Sequence, residues 1–308
     1  MDCALLTHAD CLAHRPGERH PESPARLDTL LKDIEQAGLL RTWRRQEAPR
    51  VTREQLERVH HPAYLDEIER VAPKTGLHRL DADTLMSPGS LAAASRAAGA
   101  VVHAVDLVMG ARARSVFCAT RPPGHHARAG DAMGFCIYGN AAVGIAHALA
   151  VHGVERVAVA DFDVHRGNGT ESMFRREPRV LMADSFQHPH YPQGNFPERP
   201  GYLPMRLAAG DGGDAFRRHW RDTALPALRA FRPQLMFVSA GFDAHRDDPL
   251  AGIRLEAADY RWLTHELRDI AEASGKGRMV STLEGGYGLG EMSPAVIAHL
   301  MALGDCSR

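Results

Sequence analysis

Six short apolar runs of β character, at residues 4–7, 115–119, 157–160, 180–182, 235–239 and 279–283, recur along 308 residues with long helical patterns between most of them. This alternation constrains the fold more than any other feature of the chain. Strands separated by helices pair in parallel, and the crossover helices cover both faces of the sheet they form. Ser23-Pro24 reads as an N-cap followed by a proline at the first helical position, opening a helix through about Leu40. Further helices are expected over 53–71, 90–109, 140–152, 215–231, 256–274 and from about Ser293. No internal repeat or low-complexity linker interrupts the pattern, so the expectation is one α/β domain over 1–308 with a mostly parallel central sheet and helices on both faces.

A hydrophobic fraction of 44% is ample for one large core at this length. The net charge of -1 gives no electrostatic reason to expect bulk nucleic-acid binding or attachment to an anionic membrane. No run of about 18 apolar residues is evident, and Met1-Asp2-Cys3-Ala4 lacks a signal-peptide layout, which makes the cytoplasm the expected compartment. Cys3, Cys11, Cys118, Cys136 and Cys306 show no CxxC spacing, so reduced, mostly buried thiols are expected rather than disulfides or a thiolate zinc site.

The loops that follow strands, at 120–140, 161–170, 185–200, 241–252 and 284–290, are rich in Gly, Pro and polar residues. In an open α/β sheet such loops gather at the carboxyl ends of the strands, where ligands bind. If Asp161-Phe162-Asp163-Val164-His165 is extended, Asp161, Asp163 and His165 point to one side, and a cation would offset the cost of burying them. A mixed Asp/His set suits zinc or ferrous iron better than calcium or magnesium, although D-x-D-x-H alone also fits a structural ion pair. Asp243, in a glycine-led turn after the 235–239 run, would complete a triad with Asp163 and His165. Three protein ligands leave open positions for water and substrate, the mark of a catalytic site.

His125-His126, on a Pro-Pro-Gly loop, offers a base for the water and an acid for the leaving group. Alone, the pair would read as solvated loop histidines. Glu284-Gly285-Gly286-Tyr287 brings a phenol to a strand end, where it could donate to a developing oxyanion. The helical histidines His103, His147, His152, His219 and His265 are expected to be surface or satisfied interior residues.

Taken together, these motifs resemble the histone deacetylase superfamily, in particular its class II and bacterial members. The likeness runs from His20-Pro21-Glu22 through R-P-P-G-H-H at 121–126, Gly134-Phe135-Cys136, D-F-D-V-H-R-G-N-G-T at 161–170, S-A-G-F-D-A-H at 239–245 with Asp248-Pro249-Leu250, to E-G-G-Y at 284–287. It implies an arginase/deacetylase fold with a sheet of about eight strands and zinc, or Fe2+, bound by Asp163, His165 and Asp243. His126 would be the principal acid–base group, His125 its electrostatic partner and Tyr287 the donor to the carbonyl oxygen, with Asp161 orienting His125 and Asn168 supporting His126. Phe135, Tyr191 and, at the mouth, Leu250 would wall a substrate channel. A potassium ion (K+) would use Asp161, Asp163, Ser185 and the carbonyls of His165 and Phe186. Arg166 departs from the family pattern, where a second histidine is common, and so does the stretch 128–131.

The implied reaction is deacylation of an amine, with an acyl-lysine protein or peptide or a small acylated amine as partner. Acetylpolyamines are the nearest rival substrates, and uncharged Leu250 stands where a glutamate gatekeeper would favour them. A non-catalytic acyl-lysine reader and a dinuclear manganese hydrolase are the rivals from other classes. The oligomeric state is not encoded in these features.

Overall fold

The computed structural model describes residues 3–194 and 199–305. Among them, eight strands form one sheet: β1 (Cys3–Thr7), β2 (Trp43–Glu47), β5 (Ser115–Cys118), β6 (Val157–Asp161), β7 (Val180–Gln187), β8 (Tyr202–Leu207), β9 (Leu235–Ala240) and β10 (Met279–Leu283). Their spatial order is β2-β1-β5-β10-β9-β6-β7-β8, and every pairing is parallel. The remaining strands, β3 (His78–Arg79) and β4 (Leu85–Met86), make a small antiparallel hairpin beside it.

Strand alternation divides the core between two faces. In β6, Val157 and Val159 join the cluster under α4 (Ser90–Met109) and α5 (Asn140–Val151), whereas Ala158 and Ala160 join the opposite cluster with α1 (Pro24–Gln36), α9 (Ala257–Gly275) and α10 (Met292–Gly304). Phe162, just beyond β6, is fully buried against Phe242 and Tyr260. Burying one such ring contributes roughly 1.5–3 kcal/mol. Because all eight strands run the same way, the loops after β5, β6, β7, β9 and β10 emerge on one rim.

Several expectations are corrected. The 53–71 helix is two, α2 (Arg53–Glu57) and α3 (Pro62–Val71), since Pro62 starts a helix and cannot continue one. The 215–231 helix is α7 (Gly213–His219) and α8 (Leu225–Phe231), joined through a π-helical turn at Trp220–Ala224. The first helix ends at Gln36, and a separate 3-10 turn covers Leu39–Arg41. Ser185, expected to open a loop, lies inside β7, and α6 (Asn168–Phe174) begins within the segment expected to be loop.

The 20-residue α4 is long and, on average, apolar enough to cross a membrane, although Arg96, His103 and Asp106 interrupt it and it holds no unbroken run of about 18 apolar residues. However, 67% of that stretch is buried inside the fold, as befits a core helix. Cys3, Cys11, Cys118 and Cys136 are free and buried; Cys306 lies outside the described residues.

Candidate active site and metal centre

The chain is not extended from Asp161 to His165. β6 ends at Asp161, and the next residues turn, the His165 amide donating to Asp163 Oδ1 at 2.8 Å. The turn still sends Phe162 and Val164 into the core while Asp163 and His165 face Asp243, which arrives from the loop after β9. His165 Nδ1 lies 3.1 Å from both Asp163 Oδ1 and Asp243 Oδ2, and the three residues each offer a ligand atom within 4.8 Å of the others.

Those spacings suit an ion with ligands about 2.0 Å away, whose tetrahedral edge is about 3.3 Å. The electrostatics call for a cation too. Both carboxylates are fully buried, and although burial alone would depress His165, their hydrogen bonds push it up to about 10. The surroundings of His165 thus favour positive charge at this point. The donor set of two carboxylates and one imidazole fits zinc or ferrous iron.

His125 and His126 stand beside this trio with ring centroids 4.0 Å apart, and their environments push them in opposite directions. Burial would lower His125, but the Asp163 and Asp161 carboxylates hold it well above the ordinary range, with Nδ1 3.1 Å from Asp161 Oδ2. Burial and the neighbouring His125 and His165 hold His126 well below it. His126 Nδ1 lies 2.7 Å from Asn168 Oδ1, an oxygen that can only accept. The proton therefore sits on Nδ1 and Nε2 is left as a base.

A cavity of about 230 Å³ leads to these groups, walled by Phe135, His190, Tyr191, Leu250 and Tyr287. Burial holds the Tyr287 phenol well above its usual range, so it keeps its proton. Phe135 meets Tyr287 edge-on at 5.7 Å, and Tyr191 meets His126 edge-on at 5.1 Å. Gly134 has φ of +56°, and any Cβ there would collide with the His126 ring. Ser185 Oγ is a buried oxygen with no hydrogen-bond partner among the described residues, the condition a cation ligand would relieve.

Residues 20–303 match the histone deacetylase domain. The chain belongs to the histone deacetylase family. It is 39% identical over 276 residues to a histone deacetylase-like amidohydrolase of Pseudomonas aeruginosa, covering 87% of this chain and 72% of that one. It is 37% identical over 307 residues to the uncharacterized protein slr0245 of Synechocystis sp., covering 97% and 99% of the two chains. The crystal structure of the HDA15 HD domain superposes with a TM-score of 0.91 at 30% identity, covering all of this chain and 89% of that one. The architecture is thus the histone deacetylase fold, and deacetylase or amidohydrolase chemistry is what the family supports.

In this histone deacetylase domain, sequence reasoning missed the supports of the site. Arg26 donates to the carbonyls of Gly286 (2.5 Å) and Glu284 (2.6 Å) and lies 4.5 Å over the Tyr287 ring. Arg26, Arg121 and His14 share the buried Glu22 carboxylate. Despite burial, Arg121 and His14 hold Glu22 well below the usual carboxylate range. Asp248 accepts from the backbone of Tyr287 (2.7 Å) and Leu250 (2.9 Å), and His190 stacks on His165 at 5.0 Å. Glu22, Arg121 and Asp248 lay in motifs singled out from sequence, but their supporting contacts did not show there; His14, Arg26 and His190 lay in none, and all act across separations that no local pattern reveals.

A second Asp/His group, Asp106, His147 and His152, forms at the far ends of α4 and α5. Arg58 Nη1 donates to His147 Nδ1 at 2.7 Å, which leaves the proton on Nε2 directed at Asp106, 2.8 Å away. His152 Nε2 lies 2.8 Å from the same Asp106 oxygen, so the three side chains and Arg58 form one hydrogen-bonded cluster.

Proposed function

We propose that the chain is a zinc- or iron-dependent amidohydrolase that removes an acetyl or other short acyl group from an amine, foremost the ε-amine of lysine in a protein or peptide. The observation that carries this reading is geometric: His125, bonded to the Asp161 carboxylate, and His126, bonded to the Asn168 amide oxygen, stand side by side next to the Asp163–His165–Asp243 trio at the end of a narrow channel. A bound Zn2+ or Fe2+ held by these three residues would supply Lewis-acid polarisation of the amide and a water of lowered pKa.

The chain's own groups supply the rest. His126 Nε2 takes a proton from the water as its oxygen bonds to the carbonyl carbon. The Tyr287 hydroxyl donates to the oxyanion that develops there. His126 then returns the proton to nitrogen as the carbon–nitrogen bond breaks, releasing amine and carboxylic acid, whose remaining proton passes to the amine to give ammonium and carboxylate. Cationic His125, held by Asp161, disfavours a lasting charge on His126 and so speeds that return. Asp161, Asp163, Ser185 and the carbonyls of His165 and Phe186 would hold potassium, a reading supported by the orphaned Ser185 oxygen.

An acetylated polyamine is the competing substrate because Asp83 lines the same cavity, and a carboxylate there can meet a distal ammonium. Turnover of acetyl-lysine peptides, longer acyl-lysines and acetylated polyamines by the purified, metal-loaded protein separates these substrates. Metal analysis should find about one zinc or iron per chain. Two manganese ions per chain, or no hydrolysis of any of the three substrate classes, would overturn the reading.

A further inference from the structure

We propose that Glu284 is the positioning residue of the histidine pair: its carboxylate, reaching from the end of β10, fixes the backbone of the loop that carries His125 and His126. The inference rests on the reading above that this pair performs the acid–base step.

β5 and β10 pair through Thr282 and Cys118, and beyond that register the two chains part. The Glu284 side chain carries the link further: its Oε2 accepts from the amides of Gly124 at 2.7 Å and His125 at 3.1 Å. The residue is fully buried, and Oε1 has no hydrogen-bond partner among the described residues. Arg26, the nearby guanidinium, bonds the Glu284 carbonyl and not its carboxylate. A buried carboxyl that neither arginine nor lysine pairs is costly, and its two amide bonds help to offset that cost together with the nearby His125 ring.

The geometry also explains why the link belongs at this position. Gly285, next in sequence, donates to Asp163 Oδ2 at 2.8 Å, and Tyr287 follows two residues later. One four-residue turn is therefore tied to the histidine loop by Glu284, to the ligand trio by Gly285, and carries the phenol itself. Acid–base chemistry tolerates little misplacement between such groups: about 1 Å costs on the order of 10²-fold in rate.

The test compares zinc-loaded Glu284→Gln and Glu284→Ala. Glutamine keeps an oxygen able to accept both amides, whereas alanine keeps none. Alanine should lower kcat roughly 10- to 100-fold with KM and zinc content little changed, and should speed hydrogen exchange at the Gly124 and His125 amides, measured by NMR. Glutamine should keep those amides protected and kcat within about threefold of the parent, the scale of a shift well under 1 Å. Unchanged exchange or turnover in the alanine variant overturns the proposal, and so does a glutamine variant as impaired as alanine, which would assign the role to charge. If the alanine variant fails to fold, the glutamine variant decides alone: protected amides with near-parent kcat support the clamp, and loss of either overturns it. Should the parent hydrolyse no acyl amide, the proposed function fails while the exchange measurement still decides the clamp.

Discussion

Asp163 divides its oxygens between two tasks: Oδ1 faces the His165 amide and ring, and Oδ2 accepts from Gly285. Asp163→Ala should therefore lose metal and disturb the turn bearing Tyr287, while Asp243→Ala should lose metal and free the Val164 amide that its Oδ1 now receives. In both variants metal content and turnover should fall together, and full occupancy with parental turnover under limiting zinc would refute the ligand assignment. Tyr287→Phe removes one hydroxyl and leaves the ring between Arg26 and Phe135. Its kcat should drop roughly 10²- to 10³-fold with metal content unchanged; a near-normal kcat would mean that the phenol does not face the carbonyl. At the channel wall, Leu250→Glu should shift preference toward a cationic acetylpolyamine by about tenfold to a hundredfold, less at high salt. An unchanged ratio of kcat/KM between polyamine and lysine substrates would remove Leu250 from substrate choice.

At the scale of elements, the rim depends on backbone approaches that admit no side chain. A Cβ at Gly285 would overlap Asp243 Oδ2 and lie 2.6 Å from Asp163 Oδ2, both set in a core with nowhere to retreat. Gly285→Ala should accordingly abolish metal binding in a chain that still folds, as read by zinc titration alongside circular dichroism; wild-type affinity would mean that the β10 turn is not rigid. The central strands were legible from sequence because parallel strands buried on both faces are continuous apolar runs. β2 was not, since Trp-Arg-Arg-Gln-Glu is an edge strand with only Trp43 buried, and neither was β8, whose Pro204 reads as a breaker but sits at the other edge. That Asp163, His165 and Asp243 would meet, and that His125 and His126 would stand beside them, was legible because each lies in a polar motif just after a buried strand, and parallel strands bring those ends to one rim. Arg26 was not, and Glu284 was legible only as part of its motif and not in its contact, because Arg26 donates to, and Glu284 accepts from, a backbone more than 150 residues away, and no local periodicity marks such a contact.

For the molecule as a whole, buried neutral histidines contribute to the loss of stability in acid, alongside depressed carboxylates such as Glu22. Burial pushes His60 down to about 4 and His299 down to about 3. An unfolded chain protonates histidine near 6.5, so below that pH the unfolded state holds more protons and stability falls as pH falls, through about 4 for His60 and about 3 for His299. Above pH about 6.5 the contribution is complete. Asp248, raised to about 6 chiefly by burial, acts in the opposite sense, its contribution fading as pH rises from about 4 to 6. Replacing His60 with Gln isolates one term: the pH slope of the urea midpoint between 6 and 4 should decrease by close to one proton, and an unchanged slope would show that His60 is protonated in the native state. The distribution of the rim along the chain has a practical consequence. Asp163, His165 and the histidine pair precede the exposed Gly210, whereas Asp243 and Tyr287 follow it. On the assignment proposed above, cutting the chain there leaves neither half with the full set, so that catalysis in a mixture of them would report their reassociation, and a ribosome releases no working enzyme until the turn after the last strand has been made.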